Sequence, residues 1–333
     1  MQSTHVRRPA SESVKITIVM PVFEDWESAR LLCAAIDDYL TGYPAITATV
    51  LLADDGSNRS EASNSTGYVP KAVKSIQVLR LRRNLGHQRA IAVALAYIQQ
   101  KVPSDGVLIM DGDGEDRPED VPRLVEAFEA SHGSVTVFAE RGRRVETISF
   151  KLFYSCYRLL HRMLTGRTIR FGNFSLLPRQ HVDSIVAYPE LWNHYAAAVL
   201  KARLPYTTIR ADRGKRLRGK SKMNFVGLVI HGLSALFASY EVVSTRLLVG
   251  TALLGFAFCC LLAVVVGVRL FTRLAIPGWA TFTGGLLFVL VTQSIAALLT
   301  IIFSVMMSRN SLGFLPIRDY EYFVADCVQL QSL

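Results

Sequence analysis

Cysteine is scarce and scattered in this 333-residue chain. Cys33, Cys156, Cys259, Cys260 and Cys327 show neither metal-ligand spacing nor a disulfide framework, which fits a reducing compartment. The polar start, MQSTHVRRPASESVK, has no apolar core. No signal peptide is therefore expected, and residues 1–13 read as a disordered arm. No G-x-G-x-x-G follows the first strand-like run and no P-loop motif is expected in the chain, which argues against the dinucleotide and P-loop modes of nucleotide binding. Acid is the scarcer charge, with 27 Asp+Glu against 37 Lys+Arg and a net charge of +10. The excess is concentrated, because residues 141–222 hold 18 Lys/Arg and four Asp/Glu. No nucleic-acid motif accompanies that block. It points instead to anionic headgroups or a phosphorylated lipid, with no nucleic-acid partner.

What the chain does have divides in two. Up to about residue 245, short apolar runs alternate with amphipathic stretches; residues 246–308 read as membrane. Ile16–Phe23 is a β-branched run and hence a buried strand, with Pro21 near its end, where a strand tolerates it. Residues 26–40 place Leu31, Leu32, Ala35, Ile36, Tyr39 and Leu40 on one helical face. Thr49–Ala53 and Ser75–Leu81 are further strands, a helix runs from Gln88 to Gln100, and Val107–Met110 is a fourth strand. A helix over Pro118–Ala130 starts on proline, a residue suited to a first helical position. Ser134–Ala139 is the fifth strand. Strands alternating with helices predict an α/β fold with a mostly parallel, Rossmann-like sheet covered on both faces.

In such sheets ligands bind beyond the carboxyl ends of the strands. Those ends here carry Phe23-Glu24-Asp25, Asp54-Asp55-Gly56-Ser57, Asn84-Leu85-Gly86-His87 and Asp111-Gly112-Asp113. One such end is ordinary turn chemistry; four on one edge describe a polar cleft. The segment VLIMDGDGEDRPED (107–120) organises the rest. Four carboxylates, Asp111, Asp113, Glu115 and Asp116, fall within six residues and repel one another. Either a hard divalent cation, Mg²⁺ or Mn²⁺, neutralises them, or the segment is a solvated acidic turn before a helix.

Taken together, these motifs identify a resemblance. IVMPVFED resembles the P-V-Y-N-E of family 2 glycosyltransferases of the GT-A fold, LADDGS their V-D-D-G-S and RNLGHQRAI their N-x-G block. MDGDGEDRPED resembles their D-A-D-L-Q-D-P-P-E, and RLRGKSK their R-x-x-G-x-S-K. GNFSLLPRQHVD matches a further strand-and-helix motif. Six motifs in order over residues 14–310 resemble the polyprenyl-phosphate glycosyltransferases related to dolichol-phosphate mannose synthase. The chain departs from the pattern at Glu24, Gly112, Glu115, Asn173 and Ser175, the last two standing where Asp and Arg are common.

The resemblance implies an inverting transfer of a hexose from a UDP- or GDP-sugar to undecaprenyl (polyprenyl) phosphate. It implies a metal on Asp111 and Asp113, with Glu115 as a third ligand. It implies nucleotide-sugar contacts at Pro21, Val22, Phe23, Asp25, Asp54, Asp55, Asn84, Gly86 and Asp111. Arg141, Lys151, Ser155, Arg216 and Lys222 are then the lipid-phosphate contacts, and the assembly a membrane homo-oligomer. A phosphate monoester is a dianion near neutral pH and needs no general base; His87 is the nearest candidate for one. A different lipid or glycan acceptor is one alternative, and a non-catalytic nucleotide-sugar-binding membrane scaffold is another.

Thr147–Leu164 interleaves aromatic and aliphatic residues with Lys151, Arg158, His161 and Arg162, the pattern of an interfacial helix (147–165). The catalytic domain is expected over 14–222 and an amphipathic juxtamembrane helix over 223–245. A two-helix hairpin is expected over 246–308, with charge-free runs Leu247–Val268 and Leu286–Met307, and a tail over 309–333. Gln293 is read as a bridge between the two helices. The charge bias puts the catalytic domain and both termini in the cytoplasm, on a multi-pass protein of the cytoplasmic membrane. Two helices cannot enclose a polymer channel, and no Q-x-x-R-W occurs, which argues against a processive synthase.

Overall fold

The structure is a computed structural model that describes residues 13–58, 69–141, 159–160, 162–166, 171–218, 239–272, 278–310 and 313–330. The chain divides into two compact units, one built on a sheet and one on a helix pair.

The sheet unit follows the alternation read from the sequence. In order come β1 (Val14–Val22), α1 (Trp26–Leu40), β2 (Ile46–Asp54), β3 (Val73–Leu81), α2 (His87–Lys101), β4 (Gly106–Ile109), α3 (Asp120–Ala130) and β5 (Thr136–Arg141). Then follow β6 (Ser175–Pro178), α4 (Arg179–Ile185), α5 (Tyr195–Lys201), β7 (Tyr206–Ala211) and, far downstream, β8 (Val324–Leu330). The strand order is β7-β5-β6-β4-β1-β2-β3-β8. The block β4-β1-β2-β3 is parallel, while β6 runs antiparallel to both β4 and β5.

Central parallel strands are covered on both faces, which is why they read as unbroken apolar runs. On β1, Ile16, Ile18 and Met20 enter one core with Leu32 and Ile36 of α1 and Leu124 and Phe128 of α3. Val19 points the other way, into a core with Leu51, Leu79, Tyr195 and the alanine-rich α2. Each fully buried Ile, Leu or Val contributes about 1.5–3 kcal/mol. Arg179, at the start of α4, donates from Nη1 to the Val102 carbonyl at 2.7 Å and from Nη2 to that of Gln99. It thereby caps α2 with a cation, as the helix dipole favours, and fixes the strand-to-helix corner that carries β6.

Two expectations are corrected. α3 begins at Asp120, and Pro118 lies in the turn before it, where its carbonyl accepts the Val121 N–H at 3.1 Å. The segment expected to be a tail supplies β8, which pairs antiparallel with β3 over Ile76–Leu81 and so covers the edge strand. The chain therefore returns to the sheet after the helix pair.

The second unit holds α6 (Tyr240–Phe271) and α7 (Trp279–Asn310), each 32 residues, both long and apolar enough to cross a membrane. Leu253, Phe256, Leu270, Phe282 and Phe303 are all exposed, an apolar surface that water does not tolerate at this extent. A Cβ at Gly255 would come within 3.2 Å of Ser294, the close approach that small residues permit between membrane helices. Gln293, expected to bridge the helices, is exposed and Ser294 takes the buried place beside it. Of the expected interfacial helix, residues 159–160 and 162–165 are helical, and Leu159, Leu160 and Met163 are exposed. Arg246 donates to the Met163 carbonyl at 2.6 Å. The remainder of that segment, with Lys151 and Ser155, and the juxtamembrane stretch 223–238, with Lys222 before it, lie outside the described residues.

Candidate active site

The register puts the expected motifs on one edge. Val22 pairs with Asp54, and Asp54 with Arg80. Ile109 pairs with Val19, and the Met110 N–H reaches the Val19 carbonyl at 3.1 Å. The turns after β1, β2, β3 and β4 therefore open side by side.

The β2 turn is held from within. Asp55 is 2% exposed. Its two carboxylate oxygens accept the N–H groups of Leu85 at 2.7 Å and Gly86 at 2.8 Å. The Ser57 N–H reaches Asp54 Oδ1 at 3.0 Å. Burial pushes the Asp55 carboxyl up to about 6, with the neighbouring Asp54 adding to the rise and the two N–H donors opposing it. Gly56 has φ of +78°, and a Cβ there would lie 2.7 Å from the Arg83 carbonyl carbon and the Asn84 nitrogen. Only glycine allows the β2 and β3 turns to approach so closely. Asn84 and Gly86 are exposed, as is Phe23 of the β1 turn, while Pro21 is half-buried and Val22 buried. The Glu24 N–H donates to Ser57 Oγ at 2.9 Å, joining the β1 and β2 turns.

The β4 turn is held from within, by Asp116 and by the Glu115 N–H on Asp113 Oδ1 at 3.0 Å, and also from outside. Of its four carboxylates, Asp116 is 2% exposed and turned inward, accepting the Asp111 N–H at 2.9 Å. Asp111, Asp113 and Glu115 remain half-buried. The loop after β7 folds over them. Arg216 donates from Nη2 to Asp25 Oδ2 at 2.6 Å and from Nη1 to Asp113 Oδ2 at 3.2 Å. Arg213 forms an ion pair with Glu115. The loop backbone joins in: the Gly214 N–H reaches the Glu115 carbonyl at 2.9 Å, and the Leu217 N–H that of Asp113 at 3.0 Å.

Residues 214–221, G-K-R-L-R-G-K-S, also fit the P-loop spacing letter for letter. A P-loop needs its N–H groups free to cradle phosphate. Here those of Gly214 and Leu217 are spent on the acidic turn. Residues 219–221 lie outside the described residues, and the described part of the segment lies on the acidic turn.

Behind Asp111 runs a relay of amides. Asn173 Nδ2 approaches Asp111 Oδ1 at 3.4 Å, and Asn173 Oδ1 accepts from Gln88 Nε2 at 2.9 Å. The Tyr195 N–H, at the start of α5, donates to Gln88 Oε1 at 2.7 Å. That bond fixes which way the Gln88 amide points, so its Nε2, 3.0 Å from His87 Nε2, donates to the ring. Burial pulls the His87 pKa down, against the opposing pull of Asp111, which keeps the ring neutral near pH 7.

Asp25, Asp113 and Arg216 thus come together, as does Asp55 with the 84–86 turn, while Asp54 holds Ser57. Arg141 ends β5, paired with Ala211. Sequence reasoning passed over Arg213, Gln88 and the inward turn of Asp116. Glu115, acidic where the family pattern has Gln, was the available signal for a cationic partner such as Arg213.

Residues 17–185 match the protein family described as Glycosyl transferase family 2. The chain is 30% identical over 265 residues to an undecaprenyl-phosphate 4-deoxy-4-formamido-L-arabinose transferase of Pectobacterium atrosepticum, covering 77% of each. It is 25% identical over 285 residues to the uncharacterised glycosyltransferase YkcC of Bacillus subtilis, covering 81% of this chain and 82% of that one. Among solved structures it is similar to the mannosyltransferase PcManGT of Pyrobaculum calidifontis in complex with GDP-Man and Mn²⁺. That likeness has a TM-score of 0.39 at 12% identity, over 90% of this chain and 89% of that one.

Proposed function

The chain belongs to glycosyl transferase family 2, and on that premise we propose an inverting, metal-dependent transfer of a hexose from a nucleotide-diphosphate sugar to polyprenyl phosphate. The observation that carries this reading is the acidic β4 turn at the carboxyl ends of the parallel strands, beside the β2 and β3 turns. In open α/β sheets that edge takes the ligand. The Pectobacterium relative is an undecaprenyl-phosphate transferase by its name, which supports the acceptor class.

The residues fit a hard divalent ion. Among the described residues no group of three His, Cys, Asp or Glu stands ready to hold a metal. Two carboxylates suffice for Mg²⁺ or Mn²⁺ when substrate phosphates and water complete the shell. Asp113 already holds a cation, the Arg216 guanidinium. Bound by Asp111 and Asp113, the ion would take up charge developing on the leaving pyrophosphate. Glu115 would join it only by releasing Arg213.

The chain's own residues do the rest. The edge formed by Pro21, Val22, Phe23, Asp25, Asp54, Asp55, Asn84 and Gly86 receives the nucleotide. Arg141, Lys151, Ser155, Arg216 and Lys222 gather the acceptor phosphate. A phosphate oxygen attacks the anomeric carbon, and the bond to the nucleoside diphosphate breaks with its electron pair staying on the leaving group. The acceptor arrives ionised, so no proton has to be removed. The amide at Asn173 and the neutral His87, hydrogen-bonded by Gln88, suit that route.

Two crossings return the chain to the side it left, which agrees with β8 completing the sheet after α6 and α7. The proposed setting is the cytoplasmic membrane, with the sheet unit at its cytoplasmic face and several copies assembled together.

The test uses the full-length chain in detergent with undecaprenyl phosphate and a panel of labelled UDP- and GDP-sugars that includes pentose donors. One donor should yield an organic-soluble product with inverted anomeric configuration. Label appearing only in a glycan, or nucleotide binding without turnover across the panel, would overturn the assignment.

A further inference from the structure

The loop 212–218 is fastened to the acidic turn at two places with different prospects. Glu115 and Arg213 pair at the outer end, where the Gly214 N–H to Glu115 carbonyl bond also lies. Glu115 is 14% exposed in its side chain and Arg213 30%, so the pair is shielded from screening by solvent. Arg216, at the inner end, bridges Asp25 and Asp113, with both it and Asp113 19% exposed. Asp113 is one of the two carboxylates proposed to hold the ion. Arg216 lies on Asp113 Oδ2, so an ion on this carboxylate meets the guanidinium at a range where like charges repel strongly. The cation on Asp113 is therefore exchangeable, while Glu115 keeps its arginine.

We propose that Glu115 is a positioning residue. It clasps Arg213 and so holds the 212–218 loop over the cleft. Arg216 then leaves Asp113 when the ion binds, and carries its charge to a phosphate oxygen of the substrates. Planar guanidinium suits that transfer, since its paired donors match carboxylate and phosphate alike. The clasp explains why a carboxylate stands at 115: an amide there would leave Arg213 without its counter-charge and the loop without its outer anchor. This rests on the glycosyl-transfer reading for the ion at Asp113 and for the identity of the phosphates.

Full-length protein in detergent is titrated with Mn²⁺ alone, following free ion by electron paramagnetic resonance. Arg216→Gln should tighten Mn²⁺ by about tenfold, because its competitor for Asp113 is gone. Glu115→Gln and Arg213→Gln should each leave Mn²⁺ affinity within about threefold and speed tryptic cleavage within 213–218. Both should raise KM for one phosphate-bearing substrate more than they lower kcat. The double variant should be no worse than either single one, and Arg213→Lys should restore the loop. Whether donor KM or lipid KM moves tells which phosphate Arg216 meets. Tenfold weaker Mn²⁺ in Glu115→Gln with Arg213→Gln unchanged would make Glu115 a metal ligand and overturn the clasp. Unchanged affinity in Arg216→Gln would overturn the exchange. The Mn²⁺ and protease measurements stand even where no donor is turned over, so failure of the reaction class is seen separately.

Discussion

The acidic ends of β2 and β4 open on the same edge of the sheet, and each answers its charge differently. Asp54 and Asp55 are answered by backbone N–H groups of Ser57, Leu85 and Gly86. Asp113 and Glu115 are answered by the side chains of Arg216 and Arg213, with one backbone donor, the Glu115 N–H, on the other Asp113 oxygen. A backbone donor belongs to the fold and leaves only when the turn unfolds. An arginine on a loop is exchanged for another cation at the cost of a side-chain movement. The β2 turn is thereby held by the fold, and the β4 turn carries the cations that the proposed exchange would move.

Breaking the β4 end should have the largest effect. Asp113→Ala is expected to lower glycolipid formation on the order of a hundredfold or more, measured as label entering the organic phase. A variant retaining more than half the rate would remove this turn from the chemistry. Breaking the β2 turn should instead unfold. Gly56→Val puts a Cβ 2.7 Å from two backbone atoms at φ +78°. About 3 kcal/mol of stability should be lost, read as a drop in Tm; an unchanged Tm would mean that the turn is soft.

The third effect is on pH dependence. Asp55 is raised from 3.8 to about 6, so the folded chain holds this proton more tightly than the unfolded one. Its contribution to stability is greatest below pH 3.8, falls as pH rises towards 6, and stays lower above. Wild type should therefore lose on the order of 2 kcal/mol relative to Asp55→Asn between pH 4 and pH 7. Denaturation midpoints at the two pH values give that difference, and a constant one would show that Asp55 titrates as in water. The smallest effect is expected at Gly114, also at positive φ (+83°), where the nearest atoms to a Cβ are those of the Leu217 side chain, which can shift, rather than backbone. Gly114→Ala should cost about 1 kcal/mol of stability and change transfer a few-fold through the loop. A loss as large as that for Gly56 would erase the distinction between the two turns.

The sequence by itself determined the strand–helix alternation, the four polar strand ends and the two apolar helices. Each of these is written in local periodicity: unbroken β-branched runs for doubly covered strands, and long charge-free stretches for α6 and α7. The motif order also disclosed the family, because the same turn chemistry recurs at the same strand ends. Only the tertiary structure decided what depends on pairing across the chain. β8 reads locally as a tail, and becomes the eighth strand because β3 offers it an unpaired edge. Arg216 lies 191 residues from Asp25 and 103 from Asp113. No spacing rule links a basic loop to those carboxylates. The loop after β7 meets the acidic turn because β5 and β7 run in the same direction as β4, with β6 alone reversed between them, and the repulsion written into residues 111–116 needs a cation. The sequence carried that need; the fold chose the two arginines that meet it.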